Sequence, residues 1–138
     1  MGRCRDRRVS GLCDDYVQRI RRHVSVEIVE VDARSDRALV DRIGRSLGAG
    51  TRVVALDEEG RSMDSEGFAR HLQQLLAAHP GLAFLVGGAD GWPDGLDDRI
   101  HERLSLSPMT LPHRLARVVL VEQIYRALSI AHGEPYHR

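Results

Sequence analysis

The 138-residue chain contains no lysine; its twenty basic residues are all arginine, and twenty acidic residues balance them. A formal net charge of zero argues against a protein that holds nucleic acid by bulk electrostatic attraction. Aromatic residues make up only 4%, few for a protein that reads RNA by stacking splayed bases on rings. Cysteine is limited to Cys4 and Cys13, too few for a zinc site built from thiolates and consistent with a reduced pair in a reducing compartment. No apolar run approaches the roughly 20 residues that span a bilayer, and the start "MGRCRDRR" has no apolar signal core. These absences read as a cytoplasmic chain with no membrane partner.

What is present is ordinary globular composition, 42% apolar and 29% charged, in a length that suits one domain over residues 1–138. The charge is unevenly spread. Residues 1–22 hold seven arginines against three acids, residues 99–138 six against three, and the middle seven against fourteen. Arginine offers a planar fork suited to phosphate. Charge alone fits either a polyanion-facing surface at both ends or a solvated surface that happens to use arginine.

Apolar spacing predicts a helix over Leu12–His23 on Leu12, Tyr16, Val17 and Ile20. Alternation in "VSVEIVEV" predicts a strand over Val24–Val31 with one buried face. "SDRALVDRIGRSLGAG" reads as a helix capped by Ser35 or Asp36 and stopped by glycines. A short buried strand over Arg52–Leu56 precedes a polar turn, "DEEGRS", and Ser65 is the expected N-cap of the next helix. A second buried strand, Leu82–Gly88, runs into glycines. A short helix over Leu96–Arg103 then leads to "LSLS", a proline-flanked loop and a final helix. Strands separated by helices imply an α/β fold with a parallel sheet. Ligands in such sheets bind beyond the carboxyl ends of the strands, here after Leu56, after Val86 and after Ser107.

"VGGADG" suits either close backbone approach by a ligand or a plain strand-ending turn; it is neither a GxGxxG fingerprint nor a P-loop. In "SPMTLPH", Pro108 and Pro112 fix φ and leave the amides of Met109, Thr110 and Leu111 in a stiff arc. Such an arc can read the edge of a heterocycle without an ordering cost, or it is a rigid turn into the helix. His101, His113, His132 and His137 show no metal-ligand spacing, so no metal is expected. No nucleophile elbow is present.

Taken together, "ALDEEGRSMDSEGFA", "FLVGGADG", "LSLSPMTLPHRLARVVLVEQIYRALSI" and the terminal "GEPYHR" resemble the RlmH family over roughly residues 10–138. These are bacterial S-adenosylmethionine-dependent methyltransferases acting on N3 of a pseudouridine in the 23S RNA of the large ribosomal subunit. They belong to the SPOUT superfamily, whose C-terminal chain forms a trefoil knot. The resemblance implies one such domain over 1–138, with Ser107, Pro108, Met109, Thr110, Leu111 and Pro112 as the knot loop around the cofactor's adenosine end. Leu56 and Gly88 would close that pocket. It also implies a homodimer on the final helix, where Leu115, Val118, Val119, Glu122, Tyr125 and Arg126 are spaced to share one side.

Family members open with an apolar strand ending near Val-Gly. Met1-Gly2 stands at that point, so the resemblance implies a first strand that is missing or truncated. Transfer to the imide nitrogen requires loss of its proton. Arg126 is the expected stabiliser of the resulting negative charge and His137 the expected proton acceptor. Tyr136 and Arg138 would position the RNA. The other readings are a different SPOUT RNA methyltransferase and a catalytically inactive ribosome-associated RNA-binding protein.

Overall fold

The computed structural model describes residues 6–88 and 91–137. The expected first helix is α1, Arg7–Ile20, displaced toward the N-terminus because Asp6 caps it by accepting from the Arg8 amide at 3.0 Å. Its buried face is Cys13, Val17 and Ile20, while Leu12 is exposed. The Cys13 side chain is fully buried in the core.

Among the described residues no strand forms over Val24–Val31. A strand needs a neighbour for its amides and carbonyls, and none of these residues pairs with another strand among the described residues. Val24 and Val26 still pack partly against the core, but Ile28, next on the same face, is 37% exposed. Side chains hold the segment instead. Arg117 from the final helix pairs with Glu30 at 2.7 Å, and Arg42 donates to the Asp32 carbonyl.

Helix α2, Asp36–Ser46, has Ser35 as its N-cap, accepting from the Ala38 amide. Strand β1 runs Thr51–Ser62, through the segment expected to be a polar turn. Helix α3, Ser65–Ala78, is capped by Asp64 rather than Ser65; the Asp64 carboxylate accepts from the Gly67 amide at 2.7 Å. Ser65, one residue inside, donates instead to Gln123 at 2.9 Å. Strand β2 is Gly81–Leu85, three residues shorter than expected at its carboxyl end. The expected helix over Leu96–Arg103 is only a 3-10 turn, Asp97–Arg99, and Glu102–Ser105 is strand β3. Two acids and an arginine cannot supply a buried helical face there, whereas Leu104 and Ser105 are buried in the sheet.

The sheet is parallel, ordered β2-β1-β3. Thr51 to Ala55 align with Gly81 to Leu85, and Val54 to Leu56 with Glu102 to Leu104. After an irregularity between Leu56 and Arg61, β1 rejoins the same neighbour: Arg61 also aligns with Leu104, and Ser62 with Ser105. Residues 57–62 therefore lie against β3, and Gly60 makes this possible. A Cβ at Gly60 would stand 2.7 Å from the Arg103 carbonyl carbon and 2.8 Å from the Leu104 amide nitrogen.

Helix α4, His113–Ala131, follows Pro112 and packs against both α1 and α3. The core joins Cys13, Val17 and Ile20 to Phe68, Leu72 and Leu75 of α3, Val121 and Leu128 of α4, and Val54 and Leu104 of the sheet. Val54 belongs to this cluster and its neighbours Val53 and Ala55 do not, as alternating side chains on a strand require. No helix among the described residues is long and apolar enough to cross a membrane.

Candidate active site

The parallel register puts the carboxyl ends of the three strands on one edge. Leu56 follows Ala55, which aligns with Leu85, and is itself opposite Leu104. The loops that lead to Gly88 and to Ser107–Pro112 thus leave the sheet on either side of Leu56. The first contains a tight turn in which the Gly91 amide donates to the Gly88 carbonyl at 3.3 Å, with Gly91 at φ 79°. Trp92 folds back over this loop: a Cβ at Gly87 would meet its ring at 3.4 Å. In the second, the Ser105 hydroxyl donates to the Ser107 carbonyl and the Met109 amide donates to the Ser107 hydroxyl. Thr110 donates to Glu58 at 2.6 Å, tying the proline loop to the segment after Leu56. Met109 is 75% exposed and Leu111 half-buried.

The base of this edge is clamped by Arg103, whose guanidinium donates to Asp57 at 2.6 Å and also to Asp97. Gly88, the proline arc and Leu56 all belong to this edge of the sheet and the loops that leave it. Neither of two open grooves among the described residues is lined by them; one lies beside Val29–Val31 and Arg42, the other at the α2–β1 turn. The strand ends therefore present backbone groups and not a cavity.

A second cluster gathers the expected catalytic residues. Helix α4 ends at His132, and Gly133 follows at φ 67°. The Gly133 amide donates to the Ile130 carbonyl and the Glu134 amide to that of Ser129. This paired closure turns the chain back along the helix it has left. Tyr136 and His137 consequently return beside Glu122 and Arg126.

Glu122 is the hub. Its Oε1 accepts from Arg126 Nε at 3.0 Å, from Arg126 Nη2 at 2.7 Å and from the Tyr136 hydroxyl at 3.0 Å. Its Oε2 accepts from Gln123, which in turn holds Ser65 of α3. Arg126 Nη1 lies 3.2 Å from His137 Nδ1, and the guanidinium carbon sits 4.9 Å from the Tyr136 ring centroid. The Tyr136 ring meets Tyr125 edge-on at 4.6 Å, and its hydroxyl is 3.3 Å from that of Tyr16 on α1.

The hydrogen bond to Glu122 raises the Arg126 pKa, against a smaller opposing effect of burial. Burial chiefly, then hydrogen bonds with Tyr16 and Glu122, push the Tyr136 phenol above its usual range. At neutral pH the cluster thus holds a fixed cation and a fixed phenolic donor. Arg138 lies outside the described residues, so three of the four residues expected at the chemistry are seen together: Arg126, Tyr136 and His137.

The expected interface side of α4 is partly spoken for. Val118 and Tyr125 pack against the chain's own core and Glu122 pairs with Arg126, whereas Leu115 is 51% exposed. Glu122 as organiser is foreshadowed only by its i,i+4 spacing to Arg126. No local pattern signals Tyr16, which meets Tyr136 across 120 residues of sequence.

The chain thus combines a parallel α/β sheet, glycine- and proline-bearing loops at one edge of it, and an Arg–Glu–Tyr–His cluster on α4 and the returning tail. A family model described as "Predicted SPOUT methyltransferase" matches residues 1–137, and the chain belongs to that family. Similar proteins carry the name ribosomal RNA large subunit methyltransferase H. The one from Sorangium cellulosum is 39% identical over 137 residues, covering 99% of this chain and 94% of the relative. That of Anaeromyxobacter sp. strain Fw109-5 is 40% identical over 100% of this chain and 95% of its own. That of Parasynechococcus marenigrum is 48% identical over 82% of this chain and 77% of its own.

Proposed function

We propose that the chain is a single-domain, S-adenosylmethionine-dependent methyltransferase that modifies N3 of a pseudouridine in the RNA of the large ribosomal subunit. The observation that carries this reading is the family membership over nearly the whole chain, together with relatives named for large-subunit RNA methylation. The cofactor would lie against Leu56, Gly88 and Ser107–Pro112, where glycine and proline leave backbone groups accessible and stiff. When bound, it supplies a methyl group on a sulfonium, an electrophile ready for displacement. The proline loop orients the adenosine end without an ordering cost. The Thr110–Glu58 bond supports this by fixing the loop's tip.

The chain's own chemistry is positional and electrostatic. The imide N3 has a pKa roughly two units above neutral, so forming its anion at pH 7 costs about 2.7 kcal/mol. Arg126, a permanent cation held by Glu122, stabilises the developing charge. His137 is the proposed proton acceptor. Its Nδ1 faces an Arg126 N–H, so accepting a proton there requires that hydrogen bond to open as the nucleobase enters. Tyr136 and Arg138 position the RNA.

The C-terminal chain forms the family's trefoil knot, with Ser107–Pro112 as its loop. The active form is a cytoplasmic homodimer using the exposed side of α4 around Leu115.

The test is incubation of the purified protein with isotopically labelled S-adenosylmethionine and unmodified large subunits, followed by mass-spectrometric mapping of RNA fragments. One labelled methyl on a pseudouridine base is the expected product. A methyl at another nucleotide would indicate a different RNA methyltransferase. Cofactor binding without any RNA methylation would refute the catalytic reading.

A further inference from the structure

At the amino end of β1, the α2–β1 turn opens into a groove of about 420 Å³, room for more than a lone phosphate group. Its walls carry Arg52, His79, Arg99 and His101, with Asp98 as the one carboxylate lining it. The floor is the turn at residues 48–50, where two glycines and an alanine leave the backbone open to approach.

The cationic and polar groups here are set up as donors. Arg52 has a buried Nε with no hydrogen-bond partner, and its ion pair with Glu102 is long at 3.7 Å. Glu102 is already engaged, because His71 Nε2 lies 2.6 Å from its Oε1. The Arg99 guanidinium lies flat on α2 at Gly44, where a Cβ would come within 2.7 Å of its central carbon. Among the described residues it makes no ion pair. His101 Nδ1 accepts from the Val53 amide at 3.0 Å, so the ring proton is fixed on Nε2 as a donor. His101 and Arg99 are both exposed. An open groove that carries two arginines and two histidines against one carboxylate suits an anion that arrives on a large molecule.

We propose that this groove binds a phosphodiester of the RNA backbone, at a place separate from the site where the base is methylated. The inference rests on the ribosomal RNA reading above. Arg52 and Leu56 are four steps apart on β1, about 13 Å at a strand's rise, so the groove grips RNA away from the reacting base. It contributes register and affinity without reading sequence. Two arginines explain how a chain of zero net charge holds a polyanion: the charge is placed locally.

The experiment compares wild type with Arg52→Gln/Arg99→Gln and, separately, with Gly48→Asp. The second variant puts a carboxylate in the groove, where a Cβ has room at 3.6 Å from the Thr51 hydroxyl, and removes no core group. Binding of labelled protein to unmodified large subunits is followed between about 50 and 200 mM salt. Both variants should retain wild-type cofactor affinity by calorimetry. The slope of log affinity against log salt should fall in magnitude by roughly 0.7–0.9 for each phosphate that is no longer neutralised. The Arg52→Lys/Arg99→Lys variant should restore most of the slope. Unchanged slopes in both variants would overturn the proposal. So would stabilisation of the wild type by inorganic phosphate, absent in the glutamine variant, with no change in RNA binding; that result marks a small-anion site. A wild type with no salt-dependent affinity for the subunit would instead overturn the parent reading, and the groove's role with it.

Discussion

Arg126 Nη1 stands 3.2 Å from Nδ1 of His137, and because a guanidinium has no lone pair to offer, the imidazole nitrogen is the acceptor. With Nδ1 as acceptor, the ring's N–H falls to Nε2, which lies 4.0 Å from Glu66. The pair is poised rather than assembled for proton transfer: one motion of Arg126 toward an incoming anion frees the lone pair that the proton needs. Replacing His137 with Ala should lower kcat by roughly 10²–10⁴-fold, the range of a lost general base, while cofactor affinity measured by calorimetry stays constant. A variant with full kcat would remove His137 from the chemistry.

The tail reaches this position through Gly133. At φ 67° a Cβ is disfavoured, so Gly133→Ala should cost about 1–2 kcal/mol and loosen the return of Tyr136 and His137. Thermal unfolding should register the first effect. The second should appear as a fall in kcat larger than any change in cofactor affinity, and equal losses in both would mean that the closure serves the fold alone.

Tyr136 offers a pH test whose sign is fixed by its burial. A phenol whose folded pKa is raised stays protonated when the unfolded chain has already ionised. Its contribution to stability is whole below the ordinary phenol pKa of about 10 and is lost as pH rises above that value. Melting temperatures measured from neutral pH upward should fall above pH 10 in the wild type, and less steeply in Tyr136→Phe. Parallel curves would place the phenol in solvent.

These features differ in how far sequence discloses them. Helices α2 and α3 are legible because serine or aspartate caps, apolar spacing and nearby glycines act within a few residues, and α4 because its apolar spacing runs between Pro112 and Gly133. Val24–Val31 is not, since alternation describes a face but says nothing about whether a neighbouring strand supplies hydrogen bonds. Residues 57–62 carry three acids and a glycine, a turn by composition, and only the β3 backbone beneath Gly60 makes them an extended wrap. In the candidate site, Arg126 and Glu122 are one helical turn apart and so readable. Tyr16 and Ser65 join the same network by tertiary packing, which leaves no mark on local sequence.

Gly60 leads to a stability prediction. With backbone atoms 2.7–2.8 Å from the would-be Cβ, Gly60→Ala forces the wrap away from β3, and overpacking of this kind costs about 1–3 kcal/mol. Denaturant midpoints should drop accordingly. Because the wrap carries Glu58, the partner of Thr110, cofactor affinity should weaken as well. An alanine variant as stable as wild type would show that the wrap is not held tightly to the strand.

The choice of substrate follows from where the aromatic side chains go. Phe68 and Phe84 meet edge-on, with Phe68 buried in the core. Tyr16, Tyr125 and Tyr136 spend their faces on one another and on Arg19 and Arg126. Trp92 lies over Gly87. None of the six is exposed, so the surface offers little on which unpaired bases can stack, the usual means of reading single-stranded RNA. Arginine contacts to phosphate set position without identifying sequence. Selection of one nucleotide must then come from a shape that the RNA presents when folded among its ribosomal partners. Given labelled S-adenosylmethionine, the enzyme should methylate unmodified ribosomes and leave the isolated pseudouridine-containing hairpin essentially untouched. Equal labelling of the free hairpin would show that the determinants lie in local sequence, and that a reading surface exists which these six rings do not provide.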